Sequence, residues 1–551
     1  MPEHGSQGEG HRATSRGPIA GSTSSGSGTV RCVHQEGQYC GHCVRCAAAG
    51  HAGGCGRLIR REPPTSGGPV ATTAPRREDA APEAWGGEHS LSPVPDSARS
   101  STAAHQFWIW AGANIAPINW VLGALGIVLG LSLADTILVL VAGNVIGMAV
   151  FGFFVLMGQR TGVSQMVLSR SAFGRRGAYL PTAFQFVIAT GWCAINTWIV
   201  LDLVTSLFAE IGIDGGNGLK IVTVLVIMTL QVLIAAYGFR AIATFEKYTV
   251  PVTLVVLAFM TVVAWTQVDI DWGYAGAGLQ GTERLSAMST IMTAIGIGWG
   301  ISWFAYASDY SRFVPRSMPA RKLYAASTLG QFIPVVWLGV LGATLATVSQ
   351  EIDPGQLIVN SFGALAIPVL LLVIHGPIAT NILNIYSASV CALTLDLKVD
   401  RKVVAYVVGA LATVFTVWLV YQDDFATSLD GWLASMVTWV APWGAVMLVH
   451  YYWIARQRID VPALFEAPGS SRLGDYRWDA IIAFVVGIFA TWYFEFGIPT
   501  ALQGPGAKAL GNVDLSWLAG SLTAAVIYAA LAIHRRTALE SEITSRPSER
   551  V

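Results

Sequence analysis

Charged residues are scarce in this 551-residue sequence. Lysine and arginine together number 34, as do aspartate and glutamate, so 12% of the chain is charged and the formal net charge is zero. Soluble globular domains carry about a quarter charged residues, and proteins that bind polyanions carry an excess of basic groups. The composition therefore excludes an ordinary soluble domain and predicts no nucleic-acid partner.

Cysteine is scarce beyond the first hundred residues. Five of the seven cysteines lie between Cys32 and Cys55, in CVHQEGQYCGHCVRC and the HAGGC that follows. The C-x-x-C spacing is compatible with a zinc or iron–sulfur site, but no helix or strand pattern surrounds it. We interpret this segment as a tail without a metal site. Cys193 and Cys391 stand alone in apolar runs, where we expect them to act as small packing residues.

The N-terminal hundred residues also lack the apolar run of a signal peptide. They are rich in Gly, Ser, Ala, Pro and Arg and show no aliphatic periodicity, a composition typical of disorder. We predict a disordered cytoplasmic tail over residues 1–104, a membrane domain over 105–534 and a cytoplasmic C-terminal tail over 535–551.

Hydrophobic residues are abundant, at 53% of the chain, and the mean hydropathy is +0.52. Apolar runs of about 20 residues predict helices that cross a bilayer. Twelve runs predict an all-α membrane protein with twelve transmembrane helices. Their approximate bounds are 105–130, 132–158, 179–208, 219–238, 247–267, 286–308, 322–347, 362–393, 402–421, 429–453, 478–497 and 513–534.

The basic residues between these spans predict the orientation. The connections after the even-numbered spans up to span 10 hold seventeen lysines and arginines, whereas the other connections hold only Lys220, Arg284 and Lys508. Because basic loops stay in the cytoplasm, both termini are predicted to be cytoplasmic.

Two spans carry residues that interrupt a helix. Gly112, Asn114 and Pro117 lie near the midpoint of span 1, and span 6 contains IGIGWGISWF (295–304), with glycines at alternate positions. Interrupted helices at matching places in two halves indicate the site of a secondary transporter. The alternative is that Gly296, Gly298 and Gly300 only allow close helix packing.

Polar residues in spans 3 and 8 favour a binding site. Trp192 and Asn196 in GWCAIN are four residues apart and share a helix face, which suits a flat heterocycle that needs stacking and hydrogen bonds at its edge. Asn381 and Asn384 lie in an apolar segment, where polar groups face a cavity or another helix. The amides could therefore be structural instead.

Several segments carry the motifs of a known family. They are FWIWAGANI, GALGIVLGLSL, GQRTGVSQMVLSRSAFGRRGAYLP, GWCAIN, SDYSRFVP and ATNILNIYS. From Ser90 to Arg536 the chain resembles the nucleobase–cation symporter-1 family, in its purine–cytosine permease branch. The resemblance implies a leucine-transporter-like fold of two inverted five-helix repeats (spans 1–5 and 6–10) plus two extra helices. It also implies import of a nucleobase across the plasma membrane by cation symport with alternating access.

The resemblance also implies roles for particular residues. It assigns stacking to Trp192 and edge hydrogen bonds to its partner amide, and it places the rest of the substrate site in spans 6 and 8. The substrate-binding residues are then Trp192, Asn196, Trp299, Gly300, Ser302, Asn381 and Asn384.

For the coupling ion, sodium-coupled relatives use carbonyls of span 1, here Gly112 and Ile115, with two adjacent hydroxyls of span 8. Here those two positions read Ala379 and Thr380, so one hydroxyl is missing. This departure favours H⁺ over Na⁺ as the coupling cation. His375 and Asp309 are the candidate proton carriers.

Other functions fit less well. A transporter of the same fold for an amino acid, an allantoin-like compound or a vitamin-precursor pyrimidine is the alternative. An enzyme would need acids, bases or metal ligands that converge at one depth, and the spans show none. We predict a transporter without cofactor or obligatory protein partner, which acts on a small-molecule nucleobase within the lipid bilayer.

Overall fold

The structure is a computed structural model, and it describes residues 91–116, 118–236, 239–349, 353–422, 425–497 and 499–545. These residues are helical, and the one β-type pairing among them is a bridge between Phe496 and Gln503. The α-helices are α1 Ala103–Asn114, α2 Ile118–Val128, α3 Leu133–Thr161, α4 Gln165–Phe173, α5 Tyr179–Glu210, α6 Gly216–Ala236, α7 Phe239–Gln267, α8 Gly281–Ile291, α9 Gly298–Ser302, α10 Ala307–Ser311, α11 Ala320–Ser349, α12 Pro354–Phe362, α13 Ala366–Val373, α14 His375–Thr394, α15 Arg401–Val420, α16 Phe425–Leu448, α17 Trp478–Tyr493, α18 Pro505–Ala509 and α19 Ser516–Ser545.

The helices account for the predicted spans. In the described part of the chain, ten helical segments are long and apolar enough to cross a membrane, and the bent pair α1–α2 makes an eleventh. The span predicted at 478–497 forms the shorter apolar helix α17. Twelve crossings therefore remain a prediction. The segment predicted at 362–393 is longer than expected and runs from Pro354 to Thr394 through three helices.

Two crossings are irregular, as the sequence predicts. The axes of α1 and α2 differ by 54°. In the sixth crossing, a π-helix covers Met292–Ile297 and a 3-10 turn covers Phe304–Tyr306, with α9 between them. The prediction that Gly298 and Gly300 unwind the helix was wrong, because both lie in α9.

These glycines serve close contacts instead. A Cβ on Gly300 would lie 2.5 Å from the carbonyl carbon of Gly147 in α3, and a Cβ on Gly298 would lie 2.3 Å from the carbonyl oxygen of Thr293. Backbone atoms cannot yield to such an overlap. Gly300 thus lets the sixth crossing pack directly on α3, which is the alternative that the sequence left open.

Most crossings form two packed groups. The first group contains α1, α2, α3, α8–α10 and α11, in which α11 packs on α1, α2 and α3. The second contains α5, α6, α14 and α15, in which α14 packs along α5 and α15 lies against α5 and α6. Inverted repeats over spans 1–5 and 6–10 would give this membership, and the repeat relation itself stays a prediction.

The short helix α4 is anchored by a buried ionic cluster. Arg170 in α4 donates to the carbonyl oxygens of Thr394 (2.7 Å) and Leu464 (2.9 Å), and burial lowers its pKa to about 10. Asp396 accepts from Arg175 at 2.7 Å and from the Tyr179 hydroxyl. This cluster, called the Asp396 corner below, ties the end of α14 to α4 and to the start of α5.

Candidate functional site

A small cavity lies between the two groups of helices, beside the irregular turn of the sixth crossing. Its volume is about 20 Å³, which is room for roughly one water molecule. Two residues of α5 and two of α14 line it on one side, and four consecutive-turn residues of the sixth crossing line it on the other. They are Trp192, Asn196, Thr380, Asn384, Trp299, Ser302, Trp303 and Tyr306.

The two predicted tryptophans face each other in this cavity. The rings of Trp192 and Trp299 meet edge to face, with centroids 5.5 Å apart and planes at 88°. The Trp192 Nε1 donates to the Met436 sulfur at 2.9 Å, and the Trp299 Nε1 donates to the Asn114 side-chain oxygen at 2.8 Å. Both indole nitrogens are therefore held, which fixes the ring planes.

The polar groups of the cavity are partly committed to the backbone. Asn196 donates from Nδ2 to the Trp192 carbonyl oxygen at 3.0 Å, whereas its Oδ1 has no hydrogen-bond partner within the described residues. Ser302 donates to the Trp299 carbonyl oxygen at 2.7 Å. Asn384 lines the cavity and is 3% exposed. The Asn196 oxygen is thus an acceptor available to a ligand that brings an N–H group.

Two other predicted residues do not line this cavity. Asn381 lies between α5, α6 and α14, where its Nδ2 is within 2.8 Å of the Cys193 carbonyl oxygen, 2.9 Å of Thr197 Oγ1 and 3.1 Å of Gln231 Oε1. Gly300 faces α3. Both positions are typical of residues that join helices.

Sequence reasoning missed three residues at the site. Trp303 and Tyr306 extend the helical face that begins at Trp299, at spacings of three and four, and this periodicity in WGISWFAY was the available signal. Met436 contacts Trp192 from α16. No sequence pattern distinguishes it, because methionine is an ordinary packing residue.

The residues predicted to bind the coupling ion converge at the bend between α1 and α2. The Thr380 hydroxyl lies 3.1 Å from the Ala113 carbonyl oxygen and 3.2 Å from that of Gly376. The Ile115 carbonyl oxygen also faces Gly376, since a Cβ there would lie 2.6 Å from it. Gly112 is buried in α1, and the span 1 carbonyl that meets Thr380 belongs to its neighbour.

The two candidate proton carriers lie away from the cavity. The Asp309 carboxylate is buried in α10 and accepts the backbone N–H of Gln165, at the start of α4, at 2.9 Å. The Nδ1 of His375 lies 2.9 Å from the Thr253 hydroxyl. Neither residue lines the cavity.

The matched family decides the class of protein. Residues 93–520 match the family described as permease for cytosine/purines, uracil, thiamine, allantoin. The chain belongs to this permease family. It is therefore a multi-pass membrane transporter, and the sequence-based assignment is confirmed.

Individual permeases support the assignment. The putative purine-cytosine permease YxlA of Bacillus subtilis (strain 168) is 28% identical over 444 residues, covering 79% of this chain and 93% of that protein. The purine-cytosine permease fcyB of Emericella nidulans is 22% identical over 470 residues, covering 81% and 88%.

A solved transporter shares the fold of this permease. It is Mhp1, a nucleobase-cation-symport-1 family transporter, in a closed conformation with bromovinylhydantoin bound. The TM-score is 0.67 at 18% identity, and the alignment covers 82% of this chain and 96% of Mhp1. The predicted all-α, leucine-transporter-like fold is confirmed by this likeness.

Proposed function

We propose that this permease imports a purine or pyrimidine base of the cytosine or purine type, by cation symport with alternating access. The observation that carries the proposal is the pairing of Trp192 and Asn196 on α5 with Trp299 and Ser302 across a cavity between two groups of helices. A base has a flat face for an indole and edge groups for amides. A site shared by two separately packed groups opens to either side when the groups rock against each other.

The substrate is tested first by ligand-induced stabilisation. A ligand that binds the folded protein raises its melting temperature in proportion to the logarithm of its concentration over Kd. We expect cytosine, adenine, guanine, hypoxanthine or uracil to stabilise the purified protein, and uptake of the stabilising base by proteoliposomes to follow. Stabilisation by leucine, betaine or allantoin alone would contradict the proposal and support the alternative of another small solute.

For the coupling cation we propose H⁺ rather than Na⁺. Ala379 supplies no hydroxyl, and the Thr380 hydroxyl is within hydrogen-bond distance of two carbonyls at the α1–α2 bend. A sodium site built here would have Thr380, the carbonyl oxygens of Ala113, Ile115 and Gly376, and little charge. Sodium, like other hard cations, needs several oxygen ligands at once. Asp309 and His375 are the titratable residues proposed for proton transfer.

The test is uptake by proteoliposomes under separately imposed gradients. We expect uptake to follow an inward proton gradient, to persist when choline replaces sodium, and to collapse with a protonophore. Strict sodium dependence under the same conditions would overturn the proton assignment and show that Thr380 and the carbonyls suffice.

We also propose that the protein resides in the plasma membrane with both termini in the cytoplasm. The distribution of lysine and arginine between the spans supports this orientation. A single cysteine in place of Ser470, in the exposed segment before α17, should be protected from a membrane-impermeant thiol reagent in intact cells. Labelling there would reverse the orientation.

A further inference from the structure

A second pair of polar side chains lies close to the cavity. Gln185 precedes Trp192 by seven residues on α5, so it lies on the same helix face about 10 Å away. Its side chain is close to the hydroxyl of Tyr306, which also lines the cavity. Tyr306 is therefore shared between the cavity and a deeper layer that contains Gln185.

Neither side chain is satisfied by the protein around it. Gln185 is 1% exposed, and among the described residues neither its Nε2 nor its Oε1 has a hydrogen-bond partner. The Tyr306 hydroxyl, in a residue 2% exposed, has none there either. Each buried polar group left without a partner costs roughly 1–3 kcal/mol. Unsatisfied groups of this kind in a folded protein call for a functional reason.

The pair lies on a line of polar groups that leads from the cavity to one end of the molecule. One turn beyond Tyr306, the Tyr310 hydroxyl is 3.4 Å from Ser387 Oγ on α14. Nearby, Ser308 Oγ donates to the Gln165 side chain at 2.6 Å, at the start of α4. These residues lie towards the beginning of α5 and the end of α10, so the line points to the predicted cytoplasmic side.

We propose that Gln185 and Tyr306 form a second binding station, which holds the base after it leaves Trp192. The proposal rests on the proposed function. A glutamine amide presents an N–H donor and a carbonyl acceptor side by side, which matches the adjacent donor and acceptor on the edge of a base. The Tyr306 hydroxyl can donate or accept. The station replaces the hydrogen bonds that the base gives up at Asn196, and so lowers the barrier to release.

The test separates binding from turnover. Gln185→Leu removes the amide and keeps the bulk, and Gln331→Leu is a matched control. Gln331 in α11 is 0% exposed, and its amide also has no partner in the described structure, but it does not line the cavity. Binding of radiolabelled cytosine and hypoxanthine is measured on detergent-purified protein, and the maximal uptake rate in proteoliposomes.

We expect Gln185→Leu to bind the base within threefold of wild type while its maximal uptake rate falls at least tenfold. Gln331→Leu should match wild type in both measurements. Equal uptake rates for Gln185→Leu and wild type would overturn the station and leave the proposed function intact. If wild type binds neither base, the proposed function and the station both fail. Should Gln185→Leu fold poorly, Tyr306→Phe decides, since it removes only the hydroxyl and is expected to slow uptake about fivefold.

Discussion

At the scale of single residues, Trp192 has the most specific role. Its ring is held by the Met436 sulfur on one edge and by Trp299 on the other, so its face is presented in a fixed plane. Stacking of a base on an aromatic side chain contributes about 1–3 kcal/mol. We expect Trp192→Ala to weaken base binding roughly tenfold to a hundredfold, as measured by radioligand binding to purified protein.

A suitable control for this variant is Trp418→Ala, because Trp418 is 50% exposed on α15. Binding by that control should equal binding by wild type. Wild-type affinity in Trp192→Ala would remove the stacking assignment.

The asparagines of α14 allow a sharper comparison. Asn384 lines the cavity, whereas Asn381 joins α14 to α5 and α6. We expect Asn384→Ala, like Asn196→Ala, to change which bases compete for uptake, because an unpaired polar group no longer rejects the wrong edge. Asn381→Ala should lower the free energy of unfolding by roughly 1–3 kcal/mol and leave the order of competitors unchanged. Competition assays and thermal denaturation of each variant check this, and the reverse pattern would exchange the two roles.

At the scale of helices, the contact between α9 and α3 is set by glycine. We expect Gly300→Ala to destabilise the protein by about 1–3 kcal/mol, the usual effect of overpacking, and to reduce uptake at least tenfold, since the added carbon meets backbone on Gly147. Gly218→Ala in α6 is the matched control, because no atom lies within 4 Å of its added carbon. Thermal denaturation and uptake of both variants measure the effect, and equal behaviour would show that α9 can shift without loss.

The Asp396 corner makes helix anchoring depend on pH. Burial raises the pKa of Asp396, but hydrogen bonds from Arg175 and Tyr179 outweigh it, and the net pKa is below its ordinary value. A depressed pKa gives stability that is present above the ordinary aspartate pKa of about 4 and is lost as pH falls through the lowered value. We expect Asp396→Asn to melt below wild type at pH 7 and the difference to shrink below about pH 4.

The control for this measurement is Asp269→Asn, at an exposed position after α7. Its melting temperature should follow wild type across the same pH range. A difference between Asp396→Asn and wild type that stays constant with pH would show that the carboxylate charge does not contribute.

At the scale of the whole molecule, the N-terminal segment is the least integrated part of the sequence. Residues 1–86 lie outside the described residues and before the family match, which begins at residue 93. We expect a variant that lacks 1–86 to reach the membrane and to transport within twofold of wild type in a cell-uptake assay. Loss of transport with normal membrane insertion would contradict this, as would stoichiometric zinc in the purified segment.

Much of the fold could be predicted from the sequence because bilayer insertion depends on local hydropathy. The span predicted at 132–158 is α3, Leu133–Thr161, and that at 179–208 is α5, Tyr179–Glu210. The directions of side chains were harder to predict. Asn381 and Asn384 point about 60° apart on their helix, so one faces the cavity and the other a neighbouring helix.

Contacts between distant segments could not be predicted from one sequence. Met436 meets Trp192 across 244 residues, and nothing in either segment encodes the meeting. The two uses of glycine, unwinding and close packing, also look alike in sequence. Only the position of the Gly147 backbone shows which one applies to Gly300.

The edge-to-face contact of Trp192 and Trp299 has a consequence for leakage. Within a cavity of about 20 Å³, the two rings occupy the space that a stacked base would need. A base can reach the face of Trp192 only by displacing the edge of Trp299, so the two compete as plug and cargo. The measured affinity is then the difference between two aromatic contacts. Because the passage is filled by the protein's own rings whenever cargo is missing, ions and water have no continuous path through the permease.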